Sequence, residues 1–233
     1  MLRTQTVEKG TLDLIKRFMS DEKFNNFNLV GGTALALKIG HRRSIDIDLF
    51  STNPFDSSDL GQHFLTAYNA TKVSTLTNGV FCFVNDIKID LVSHQYPLVK
   101  DVDILEGIRM VSLLDIGAMK LNAIFSSGQR LKDFVDMYSL LEKFSLHEIL
   151  DACQRKYPDL NINMVKHSLI HFNDIIPSPI EFIGREIPWS MIAERLQKAF
   201  RNPYISFGLP ESAKKLLQNR PSEAKGKRKG PRF

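Results

Sequence analysis

A chain of 233 residues that is 43% hydrophobic and 24% charged has room for one large domain or two small ones with a sizeable core. Its two cysteines, Cys82 and Cys153, lie far apart with no Cys-x-x-Cys spacing, which points away from a disulfide framework or a zinc ribbon and fits a reducing compartment. Residues 1–10 carry charges and no apolar run, and no stretch approaches about 18 uninterrupted apolar residues, so neither a signal peptide nor a membrane span is expected and the expected location is cytoplasmic. The net charge of +5 is unevenly placed: Lys225, Lys227, Arg228, Lys229 and Arg232 against Glu223 put +4 of it in residues 221–233. The body is close to neutral, and the basic end reads as a flexible tail, either a contact for RNA phosphates or a solvated terminus that aids solubility.

In chain order, apolar residues at 7, 12, 14, 15 and 18 predict an amphipathic helix. Phe27 to Val30 reads as a strand entering a Gly31-Gly32 turn, followed by a short helix over 33–39 that Thr33 can cap. Ser44 to Phe50 alternates as a strand, stopped by Asn53-Pro54, and 57–70 reads as a helix with Leu60, Phe64, Leu65 and Tyr68 on one side. Strands follow at 73–76, 80–84 and 87–93, joined by the hairpin signals Asn78-Gly79 and Asn85-Asp86, and this β-rich stretch ends near Pro97. The pattern then turns helical, at 112–125, 130–143, 145–156, 161–173 and 189–201, with Gly128 separating the first two and Pro177, Pro179 and Pro188 marking an irregular connection. The expected architecture is α/β with a mixed sheet in residues 1–110, a helical domain in 111–210, a basic tail in 211–233, and a ligand cleft between the two domains.

The chemistry concentrates in a few positions. In Ser44-Ile45-Asp46-Ile47-Asp48-Leu49-Phe50 the alternation turns both aspartates to the face opposite Ile45, Ile47 and Leu49. Asp90, in Asp86-Ile87-Lys88-Ile89-Asp90-Leu91-Val92, joins that face if the two strands are neighbours. Carboxylates that close repel unless a cation neutralises them, and hard oxygen donors suit Mg²⁺, which also takes oxygens from a substrate phosphate. Three aspartates can hold two such ions for in-line phosphoryl displacement, which is nucleotidyl-transfer chemistry. Upstream, Gly31 and Gly32 let the backbone approach a triphosphate whose oxygens the following helix N-terminus and Thr33 would hydrogen-bond.

Ser44 shares the aspartate face and is the expected phosphate contact, with Arg42 and Arg43 beside it for phosphate or RNA backbone. Lys120 sits at the edge of the apolar stripe formed by Leu113, Leu114, Gly117, Leu121 and Ile124, where an ammonium group needs an anion or an exit to water. Asp133 and Asp136, one helical turn apart on the polar side of their helix, can orient Lys120 or Arg130 by ion pairing. His41 reads as structural, His63, His94 and His147 as isolated, and His167 with His171 as a spacing without the glutamate and third ligand that zinc requires. Trp189 reads as an anchor for the last helix.

Taken in order, Gly31-Gly32-Thr33-Ala34-Leu35-Ala36-Leu37, His41-Arg42-Arg43-Ser44 with Asp46-Ile47-Asp48, Asp115-Ile116-Gly117-Ala118-Met119-Lys120, and Lys132-Asp133-Phe134-Val135-Asp136-Met137-Tyr138 resemble the AbiEii/AbiGii nucleotidyltransferase toxin family of the DNA polymerase β-like superfamily. The resemblance spans roughly residues 25–142. It implies a minimal nucleotidyltransferase fold followed by a helical domain, catalytic roles for Asp46, Asp48, Asp90, Lys120 and Asp133, and phosphate binding by Lys120. It also implies the toxic half of a toxin–antitoxin or phage-defence (abortive-infection) pair with a cognate antitoxin, acting on RNA, with tRNA 3′ ends as the target class. The expected substrates are therefore an NTP with two Mg²⁺ and an RNA acceptor. Two rivals stand beside this reading: transfer to a small molecule of the aminoglycoside kind, which needs an acidic pocket, and a non-catalytic RNA-binding module, which an intact Asp46, Asp48 and Asp90 set opposes.

Overall fold

The computed structural model describes residues 1–208; the expected basic tail lies outside the described residues. It holds a seven-stranded mixed sheet and eight α-helices. Helix α1 (Lys9–Ser20) precedes strand β1 (Asn28–Leu29), helix α2 (Gly31–Ile39), strand β2 (Ile47–Ser51) and helix α3 (Ser57–Tyr68). Strands β3 (Thr71–Leu76), β4 (Gly79–Val84) and β5 (Ile87–Ser93) form the expected meander, closed by Asn78 and by Asn85-Asp86, all at positive φ. Helices α4 (Leu113–Ser126), α5 (Leu131–Leu140), α6 (Leu146–Lys156), α7 (Ile162–Ser168) and α8 (Trp189–Arg201) complete the chain.

The sheet runs past Pro97. A further hairpin, β6 (Asp103–Leu105) and β7 (Ile108–Met110), turns on Glu106 (φ 51°) and Gly107 (φ 80°), and β7 adds to the sheet in parallel with β1 through Leu29 opposite Met110. The order is β3-β4-β5-β2-β1-β7-β6, with β2 parallel to β5 in its centre. One hydrophobic cluster runs from Leu2 to Ala199 and crosses the boundary between β7 and α4, so sheet and helices share a core.

Two buried polar devices join the layers. Asp115, fully buried on α4, accepts from the backbone N–H groups of Val99 (2.9 Å) and Lys100 (3.2 Å) and from Lys156 Nζ (3.0 Å), which also donates to the Pro97 carbonyl. The loop leading to β6 is thereby fastened to α4 and α6. The segment 41–46 is clamped from both sides: Ser44 N donates to the Thr6 carbonyl, Arg43 N to Glu181 O, and Ile183 N to His41 O. These outside partners take the backbone groups a strand would use, so β2 starts at Ile47 rather than Ser44, and Ile45, expected inward, is 57% exposed. Trp189 opens α8 and meets Phe172 edge-on at 5.2 Å, the anchoring expected of it.

Candidate functional site

The site is built where β1 gives way to α2. Val30, in extended conformation, is the N-cap, and Gly31 has φ 69°, a left-handed conformation that suits glycine. Space requires glycine as well: a Cβ on Gly31 would lie 2.3 Å from Asp48 Oδ2. The turn therefore lies directly against the Asp48 carboxylate. The first helical bond is from Ala34 N to Val30 O, so the N–H groups of the part-exposed Gly31 and Gly32 are free of the α2 ladder at the positive end of the helix, where an anion can approach.

Thr33 was expected to cap α2 and to face phosphate; it does neither. It is fully buried, its hydroxyl donates to the Asp46 carbonyl, and its oxygen lies 2.9 Å from Ser44 Oγ. Thr33 thus ties the Ser44–Asp46 loop to α2. Ser44, expected as a phosphate contact, spends its hydroxyl on Thr33 while remaining at the cavity wall.

Register brings the carboxylates together. Because β2 and β5 pair in parallel with Asp48 opposite Asp90, the two side chains share one sheet face. Burial, and after it the negative charge of Asp90, pushes the Asp48 carboxyl up to about 6. Lys88 Nζ lies 2.5 Å from Asp90 Oδ2, and although burial alone would lower the Lys88 ammonium, that hydrogen bond and the charge of Asp90 hold it raised. Asp90 Oδ1 is buried and has no hydrogen-bond partner among the described residues. Asp46 stands one residue before the strand, on the wall of the neighbouring cavity.

Among the described residues no three His, Cys, Asp or Glu side chains converge to hold a metal ion by themselves, so the expected three-aspartate cage is not assembled. The donor set still fits Mg²⁺. That ion is commonly held by one or two carboxylates with the rest of its shell from water and substrate phosphate, and here an orphaned Asp90 oxygen adjoins a carboxyl whose charge is disfavoured.

Lys120 is not at an aqueous edge. It is buried, with Nζ 2.6 Å from Asp133 Oδ1 and 2.7 Å from Asp136 Oδ2. Both aspartates, expected on a polar face, are buried because α5 is covered on all sides. Asp136 also receives Arg42 bidentately, from Nε at 2.7 Å and from Nη2 at 2.9 Å, and His41 Nε2 at 2.8 Å. Burial alone would raise the Asp136 carboxyl, but the charges of Lys120 and Arg42 hold it well below the usual carboxylate range. Burial alone would lower Lys120, yet Asp136 and Asp133 hold it raised and charged. Burial lowers His41, which then donates Nε2–H to Asp136 and leaves Nδ1 buried without a partner among the described residues. Arg42, expected at phosphates, is therefore a buried strut between the 41–46 loop and α5, while Arg43 and Arg130 remain exposed beside Glu181 and Asp133.

Two cavities meet at this network, sharing Gly32, Asp48 and Arg130. One, of ≈ 290 Å³, reaches from Gly31 and Lys120 to Phe50, His94, Met119 and Tyr157. The other, of ≈ 400 Å³, is walled by Arg43, Ser44, Ile45, Asp46, Lys132 and Glu181. The sequence left His94 as an isolated histidine and gave no reason to single out Tyr157, because the end of β5 and the end of α6 meet only through the fold. The His167–His171 pair borders a third, open cavity near Asp174, and no metal cluster forms there among the described residues.

The sequence model of the family described as "Nucleotidyl transferase AbiEii toxin, Type IV TA system" matches residues 13–219. A curated relative, the uncharacterized protein aq_aa25 of Aquifex aeolicus (strain VF5), is 29% identical over 176 residues, 72% of this chain and 84% of that protein. Among solved structures, JHP933 from Helicobacter pylori is similar at TM-score 0.44 and 16% identity, covering 91% of this chain and 99% of that one. The Thermotoga maritima CCA-adding enzyme complexed with tRNA is similar at TM-score 0.36 and 12% identity, covering 74% of this chain and 53% of that one. The chain belongs to the AbiEii nucleotidyl transferase toxin family, and it is a nucleotidyltransferase.

Proposed function

We propose that this nucleotidyltransferase is the toxin of a toxin–antitoxin pair, acting in phage defence, and that it transfers a nucleoside monophosphate from an NTP to the 3′ end of an RNA, with tRNA as the acceptor class. One observation carries the reading. Gly32, Asp48 and Arg130 line both cavities where they join, Gly31 and Lys120 line the first, and Asp90 stands beside Asp48 on the paired strand, so a triphosphate and an acceptor hydroxyl can meet on the carboxylate face. In this arrangement the free N–H groups at the start of α2 hold phosphate oxygens, and Arg130, 69% exposed in its side chain, faces the same anion. Asp48 and Asp90, with Asp46 at the mouth, would hold Mg²⁺, which when bound neutralises phosphate charge and lowers the pKa of the attacking hydroxyl. The buried Lys120–Asp133–Asp136–Arg42 network fixes the position of the cationic head behind the site.

The wall of the second cavity favours RNA over a small cationic acceptor. Arg42, Arg43, Arg130 and Lys132 line it against Asp46, Asp48 and Glu181, four basic side chains to three acidic, and Mg²⁺ on the aspartates would leave a basic wall that attracts a phosphodiester backbone more than an aminoglycoside. The family description supports the toxin role, and the antitoxin follows from it. Incubation with each NTP radiolabelled at the α-phosphate, Mg²⁺, and either total RNA or an aminoglycoside tests the proposal. Label entering tRNA-sized RNA supports it; label entering only the aminoglycoside, or nothing, refutes it.

A further inference from the structure

We propose that the aromatic end of the ≈ 290 Å³ cavity is the nucleobase subsite, and that the Asn122 amide and the His94 imidazole read the polar edge of the base. The inference rests on the nucleotidyl-transfer reading and adds to it the part of the NTP on which selectivity depends.

An NTP is bipolar, a polyanion joined through a sugar to a flat, uncharged ring. The cavity has the same polarity. In its wall Gly31 lies against Asp48, with Gly32 and Lys120 as further polar lining, while Phe50, His94 and Tyr157 pack together as an aromatic group and Met119 and Ala123 add apolar surface. Its volume lies at the lower limit of small-ligand sites, which begin at about 300 Å³. The neighbouring cavity has no aromatic side chain in its wall, so only the first can offer a ring a face to pack against.

The polar groups at the aromatic end are fixed and uncharged. His94 lies 5.1 Å from the Phe50 ring and 4.8 Å from the Tyr96 ring between centroids, and its Nε2 is 3.0 Å from Tyr157 Oη. Burial, and after it the charge of Lys156, pushes the His94 imidazole down to about 4, so at neutral pH the ring carries one donor and one acceptor and no charge. Asn122, half-buried on α4 one helical turn from Met119, lines the same cavity as Tyr157 and carries amide donor and acceptor capacity. An amide and a neutral imidazole can match the mixed donor and acceptor edge of a base. Charged groups would pay desolvation and discriminate poorly.

The test is calorimetric titration of wild type, Asn122→Ala and Ala123→Leu with ATP, GTP, CTP, UTP and inorganic tripolyphosphate, all with Mg²⁺. Ala123→Leu should fill the subsite and weaken the preferred NTP by about tenfold or more, leaving tripolyphosphate affinity unchanged. Asn122→Ala should narrow the spread among the NTPs. Variants that bind NTPs as wild type does, or that lose tripolyphosphate in step with NTP, overturn the subsite. So does a wild type that holds tripolyphosphate as tightly as any NTP. A folded wild type that binds neither contradicts the nucleotidyl-transfer reading itself.

Discussion

Replacing Asp48 with asparagine keeps the shape that lies against Gly31 and removes only the charge. Ionised Asp48 is disfavoured by burial and by Asp90, which raises its folded pKa from the ordinary 3.8 to about 6. A carboxyl with a raised folded pKa binds more protons in the folded than in the unfolded protein. Its ionisation therefore costs stability progressively as pH rises from about 4 to about 6, and the full cost is present at neutral pH. A shift of about two units corresponds to roughly 3 kcal/mol. Asp48→Asn should then raise the melting temperature at pH 7.5 by up to roughly 6–12 °C, for a domain of this size, with the gain shrinking to a small fraction near pH 4. Mg²⁺ should stabilise wild type and do little for the variant, because the cation relieves the same repulsion. Thermal melts of both proteins at several pH values, with and without Mg²⁺, make the assay. A variant that is less stable than wild type at pH 7.5, or a difference independent of pH, would refute the argument from carboxylate repulsion.

Arg42→Lys should lower stability by about 3 kcal/mol in denaturant unfolding, because a single ammonium group cannot replace the bidentate contact with buried Asp136. Lys120→Ala should both destabilise the protein, since Asp133 and Asp136 lose their shared cation, and abolish NTP use; wild-type turnover in that variant would remove Lys120 from the site. Gly31→Ala should stop nucleotide transfer at a cost of about 1–2 kcal/mol from the left-handed backbone, as its Cβ displaces Asp48, whereas Gly10→Ala, which meets nothing within 4 Å, should leave transfer intact.

The alternation around Asp48 and Asp90 was legible because a strand has period two, and the parallel register of β2 and β5 then placed the pair on one face. The Gly31-Gly32 turn was legible for a similar reason: glycine is used where backbone and side chain come close. What the sequence concealed was the cost of burial. Ser44, Thr33 and Arg42 carry polar groups next to a phosphate motif, yet each is spent on a partner within the fold that fixes the loop, Asp136 on distant α5 in the case of Arg42. Asp133 and Asp136 have the spacing of surface charges, and only the packing of α5 against α2, α4 and α8 makes them an interior network. The β6–β7 hairpin was hidden by its short strands, although Glu106-Gly107 between apolar residues was its signal. The cavity holding His94 and Tyr157 left no trace in spacing, since α2, β2, α4, α5 and the segments after β5 and α6 all supply its walls.

The central claim is that the carboxylate face of β2 and β5 directs an NTP α-phosphate onto an RNA 3′ hydroxyl. The measurement that tests it most directly is transfer of α-phosphate label to one tRNA preparation, half left intact and half oxidised at the 3′ end with periodate, using wild type and Asp48→Asn. The account predicts labelled RNA only with wild type and the intact ends. Equal labelling of oxidised RNA, undiminished labelling by Asp48→Asn, or no labelling of RNA by wild type would contradict it.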